Sequence, residues 1–88
     1  MAHAAPNSRV GRIAAYRAAI EALNKAPPNS LAARQALTRA ALALSQASNK
    51  SVTTTSVSTV NTNLGLKVSA RNVDTIVALA SKDTDSRR

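Results

Sequence analysis

From Gly65 to Thr75 the chain reads Gly-Leu-Lys-Val-Ser-Ala-Arg-Asn-Val-Asp-Thr, and several of these side chains can address the edge of a base pair. Arginine donates bidentately to guanine O6 and N7, and asparagine pairs in the same way with the N6 and N7 edge of adenine. Arg71 and Asn72 place those two groups side by side, while Ser69 and Thr75 add hydroxyls that suit either base. If Ser69 caps a helix, then Ser69, Arg71, Asn72 and Thr75 share its opening turns and form the expected base-contacting set. Asp74 would then either orient Arg71 or accept from a cytosine amine; its ordinary role is that of an acid in a first helical turn, which the helix dipole favours.

A second group of residues can hold phosphates without reading sequence. Lys50 and Lys67 flank the segment, and the hydroxyls of Thr53, Thr54 and Thr55 could donate to phosphate oxygens beside a helix N-terminus. Helix capping is the competing use of those threonines. Arg9 and Arg12 could extend the contacts along a backbone, or could lay their alkyl stems over an apolar stripe.

Charge supports a polyanionic partner. The chain has 88 residues and a formal net charge of +8, and before Asp74 the only acid is Glu21. A basic body of this kind repels itself when compact and attracts nucleic acid or anionic lipid. Other chemistries have little support. No cysteine is present, so there is neither a disulfide framework nor a thiolate metal site. His3 has no partner nearby in sequence, and the four acids form no spaced carboxylate pair. With two glycines there is no phosphate-cradling loop. Tyr16 is the only aromatic residue, too little for the stacking platforms of single-strand readers, so duplex is the expected nucleic acid. We therefore expect a binding protein rather than an enzyme, with no cofactor and no metal.

Residues 1–7 read as a flexible arm, with Pro6 preventing an early helix. Asn7 or Ser8 then caps a helix to about Lys25, in which Ile13, Tyr16, Ile20 and Leu23 form one apolar stripe and Ala14, Ala15, Ala18 and Ala22 leave room for a second backbone. Ala26-Pro27-Pro28-Asn29 is a hard stop. Ser30 caps a second helix to about Ser48, with Leu31, Leu37, Ala41 and Leu44 inward, Leu42 off that line, and Arg34 and Arg39 in solvent. The two helices should form an antiparallel pair.

Two readings compete for residues 52–63. Alternation and β-branching in Val52-Thr53-Thr54-Thr55-Ser56-Val57 suggest a strand, whereas Val57, Val60 and Leu64 have helical spacing. The spacing favours a short helix from about Thr54 to Asn63, ended by Gly65 in the left-handed conformation. A last helix follows Ser69 through about Ser81, burying Val73, Ile76, Val77 and Ala80, and residues 82–88 read as a flexible polar tail. The expected fold is all-α: a small four-helix domain (residues 8–81) with an N-terminal helical hairpin and a C-terminal helix-turn-helix.

The stretch Leu64-Gly65-Leu66-Lys67-Val68-Ser69-Ala70-Arg71-Asn72-Val73 resembles the turn and recognition-helix start of helix-turn-helix regulators and transposase-type DNA-binding domains. It is also similar to the N-terminal DNA-binding domains of plasmid KfrA-type regulators. The likeness covers residues 52–81. Asn72 stands where those families usually have threonine, and the loop from Gly65 to Ser69 is long by a residue. The resemblance implies a double-stranded DNA binder with Ser69, Arg71 and Asn72 at the base-reading positions.

Together these readings predict a small, sequence-specific duplex-binding protein, a regulator or accessory factor of a mobile element, plasmid or phage. It is expected to be cytoplasmic and to form a homodimer or higher oligomer through its alanine-rich helices. The rival expectation is an oligomeric packaging protein that neutralises phosphates without reading sequence. A weaker one is an amphipathic membrane-surface helix at residues 10–23, which lacks Trp or Phe anchors. The first 25 residues imitate a mitochondrial presequence, but they also hold the best helical stripe, and their arginines interrupt any secretory signal. No apolar run reaches the roughly 18 residues that span a bilayer.

Overall fold

The computed structural model describes residues 9–47 and 51–86, with side chains through Lys82. The described residues are all-α and form four helices: α1 (Arg9–Lys25), α2 (Leu31–Ala47), α3 (Thr54–Leu64) and α4 (Ala70–Ser86). Residues 1–7, expected as an arm, lie outside the described residues, as does Lys50.

The α1 stripe folds as its spacing predicts. Tyr16, Ile20 and Leu23 are buried and Ile13 packs at their edge. The proline pair ends the helix, and Asn29 turns the chain with φ 62°, in the left-handed region that asparagine tolerates. Ser30 then starts α2: its hydroxyl donates to the Pro27 carbonyl (2.7 Å) and accepts from the Ala33 N–H (3.1 Å).

α2 is the central helix, packed against both α1 and α4. It therefore buries an unusually wide surface: Ala33, Ala36, Leu37, Ala40, Ala41, Ala43, Leu44 and Ser45. Side chains as small as alanine let two neighbouring helices come close on separate faces. Leu31, expected to point inward, is instead 64% exposed. It is the first residue of α2, and the contacts that bury the helix begin at Ala33. Most alanines of α1 behave differently: Ala14, Ala15, Ala18 and Ala22 are exposed, and Ala19 alone is buried.

Residues 54–64 are helical, which decides between the two readings of the Thr-rich stretch. Thr53 is the N-cap of α3, and a reciprocal capping box joins it to Ser56: the Ser56 N–H donates to Thr53 Oγ1 (3.1 Å) and the Thr53 N–H donates to Ser56 Oγ (2.9 Å). Val52 and Val57 occupy the two positions of a hydrophobic staple around that cap, and both are buried. Side-chain capping and apolar anchoring thus offset the weak helix propensity of threonine, serine and valine. Gly65 closes α3 with φ 66°, and its N–H donates to the Thr62 carbonyl (3.2 Å).

α4 buries Val73, Ile76 and Ala80, with Val77 partly covered, as its periodicity predicts. It runs to Ser86 rather than ending near Ser81, so the expected tail contains more than a further helical turn. Residues 82–86 hold neither glycine nor proline, and nothing there breaks the helix.

Candidate nucleic-acid interface

The turn before α4 runs from Gly65 to Ser69. The Ser69 hydroxyl accepts from the Asn72 N–H (3.2 Å) and its carbonyl accepts from the Val73 N–H (2.9 Å), so Ser69 caps α4. The inward face of α4 is held by Val73 and Ile76, while Ser69, Ala70 and Arg71 are exposed and Asn72 is half-buried. Thr75 is also half-buried, and its hydroxyl donates to the Arg71 carbonyl one turn back (3.1 Å). Of the four expected base-contacting residues, Arg71 has its side chain free of protein partners among the described residues. Ser69 and Thr75 already use their hydroxyls in local backbone bonds.

The turn is tied to the helical hairpin. Asn24, near the end of α1, donates through Nδ2 to the Lys67 carbonyl (3.2 Å), and the Lys67 side chain stays exposed. Beside this contact a groove of about 370 Å³ separates the α1–α2 turn from the first turn of α4. Arg71 and Asn72 line one side and Asn24, Asn29 and Arg34 the other, over a floor that includes Leu23, Ala33 and Leu37. Among the described residues no carboxylate lines it.

The expected phosphate-binding residues do not form one patch. Arg9 lines a separate, largely apolar recess with Ile13, Leu44, Val52, Ser56 and Val60, where α1 begins and α2 ends. Thr53, Thr54 and Thr55 lie at the start of α3, the helix that lines this recess through Ser56 and Val60. Lys67 belongs with Arg71 beside the last turn of α1, so the two groups are separated by most of the 17-residue length of that helix, about 25 Å at 1.5 Å per residue. Thr53 is engaged in its capping box, while Thr54 and Thr55 are exposed. Arg12 is half-buried, and its Nε is buried with no hydrogen-bond partner among the described residues. That position suits an alkyl stem packed on the protein better than a side chain reaching outward.

Sequence reasoning missed Arg34, Asn24 and Asn29 as neighbours of Arg71. The usable signal was the pair of serine caps: Ser30 and Ser69 each open a helix with an arginine in or just after its first turn. It also missed Asn61, a buried polar residue of α3 whose Oδ1 accepts from the Tyr16 hydroxyl.

Among the described residues no three His, Cys, Asp or Glu side chains come together as a metal site. No helix among them is long and apolar enough to cross a membrane. The chain matches no family model, no curated protein and no solved structure.

Proposed function

We propose that this chain is a small basic protein that binds double-stranded DNA sequence-specifically through the N-terminal turn of α4, as a regulator or accessory factor of a mobile element, plasmid or phage. The observation that carries the reading is the arrangement of that turn. Arg71 is exposed and has no side-chain partner among the described residues; it lies beside half-buried Asn72, on a helix anchored from behind by Val73 and Ile76. Arg71 and Asn72 would read base edges; Ser69 and Thr75 would contribute through their remaining acceptor capacity. Lys67 would hold a phosphate beside Arg71, and Thr54 and Thr55 would do so at the far end with Arg9. The activity is binding alone, without catalysis or cofactor. A homodimer packed through the exposed alanines of α1 would set two such helices on successive half-sites.

The separation of Arg9 from Arg71 favours a second reading, a packaging protein that neutralises phosphates on several faces. A salt titration of duplex binding tests what both readings share. The log–log slope should be steeply negative, reflecting several released counterions. Flat salt dependence, or no binding at low salt, would remove nucleic acid altogether.

A further inference from the structure

Two arginines from elements far apart in sequence face one groove, and among the described residues no acid answers them. Arg34 stands at the end of the first turn of α2, and Arg71 lies in the first turn of α4. Neither guanidinium has a hydrogen-bond or ion-pair partner among the described residues. Like charges bordering one groove without a counter-charge make it electropositive, and an anion seated in it relieves that potential. The groove is lined further by the amides Asn24, Asn29 and Asn72, which can donate to an anionic oxygen. Two helix N-terminal turns, each carrying partial positive charge, also border it.

The groove is shaped in advance. Asn29 is held at φ 62° in the hairpin turn, and Asn24 is fixed by its bond to the Lys67 carbonyl. Its volume of about 370 Å³ leaves room for a phosphate group and its remaining hydration. Arginine suits such a seat because its planar fork meets two phosphate oxygens at once.

We propose that this groove seats one backbone phosphate of the bound duplex, gripped by Arg34, and that this phosphate flanks the base pair addressed by Arg71. The inference rests on the DNA-binding reading of α4 and adds to it a residue of the helical hairpin. Arg34 sets register and affinity, whereas Arg71 sets sequence preference. The hairpin is thereby part of the interface rather than only a support for α4.

The test compares Arg34→Ala with Arg39→Ala, which removes the same charge from the same helix outside the groove. Affinity is measured across a salt series on a selected duplex and on a random duplex of about two helical turns, with thermal melts confirming the fold. Arg34→Ala should weaken both duplexes about tenfold and reduce the salt slope by about one, leaving the ratio between them unchanged. Arg34→Lys should restore the slope and part of the affinity, because it returns the charge without the fork. Arg39→Ala should change each quantity much less. Equal losses from Arg34→Ala and Arg39→Ala would overturn the phosphate seat while leaving duplex binding intact, since charge alone would then account for both. A changed preference in Arg34→Ala would overturn it too, by making Arg34 a base reader. If the unaltered protein shows no salt-dependent duplex binding, the DNA reading and this inference fail together.

Discussion

The Tyr16 hydroxyl donates to Asn61 Oδ1 across 45 residues of sequence, and both side chains are buried. Val57 and Asn61 are the buried residues of α3, and this bond ties that helix to α1. Tyr16→Phe removes the donor and strands a buried amide, which should lower stability by about 1–3 kcal/mol in chemical denaturation. The bond can be isolated with Asn61→Ala and the double variant. A coupling energy near zero would mean that packing, not hydrogen bonding, holds the pair.

The same tyrosine gives the fold a pH dependence. Burial pushes the Tyr16 hydroxyl up from its ordinary value of 10.0 to about 12, with the Asn61 hydrogen bond acting in the opposite direction. The folded state therefore holds this proton more tightly than the unfolded chain. Its contribution is complete below a pH of about 10 and is lost as pH rises through about 12, a total of about 2–3 kcal/mol at ~1.4 kcal/mol per unit. Melting curves over that range should fall more steeply for the unaltered protein than for Tyr16→Phe. Parallel curves would contradict the assignment.

The ends of α3 can be tested separately. Thr53→Ala breaks the capping box and should cost about 1 kcal/mol. Gly65→Ala should cost a similar amount, for a different reason. A Cβ at this position would meet nothing within 4 Å, so the penalty lies in the φ of +66° rather than in a clash. Gly65→Asn, which tolerates that region, should be milder. If Gly65→Asn proved as costly as Gly65→Ala, backbone conformation would not be the cause.

Reader and wrapper can be distinguished at opposite ends of α1. Arg71→Ala should lose about 1–3 kcal/mol of discrimination between a selected and a random duplex, whereas Arg9→Ala should weaken both equally. Equal effects from the two variants would favour the packaging reading.

Much of the architecture could be read from residue order. The proline pair, the Ser30 and Ser69 caps and Gly65 mark the helix boundaries because each acts through local backbone chemistry. The periodic stripes of α1 and α4 give the buried faces for the same reason. The sequence was less informative about α2. Alanine carries almost no preference for inside or outside, so the buried alanines of α2 and the exposed ones of α1 look alike until their neighbours are placed. Leu31 was misjudged because a helical stripe does not say where packing begins. The groove joining Arg34 to Arg71 depends on how α1, α2 and α4 are arranged in space, and no local pattern encodes that arrangement.

The alanine-lined middle of α2 also leaves the way this helix meets its neighbours sensitive to side-chain volume. Ala36 and Ala40 are at most 1% exposed. Adding one methylene group at such a site would tilt the neighbouring helix instead of filling a void. The angles between α2 and the helices packed on it are thus adjustable from within, by substitutions that leave the outer surface unchanged.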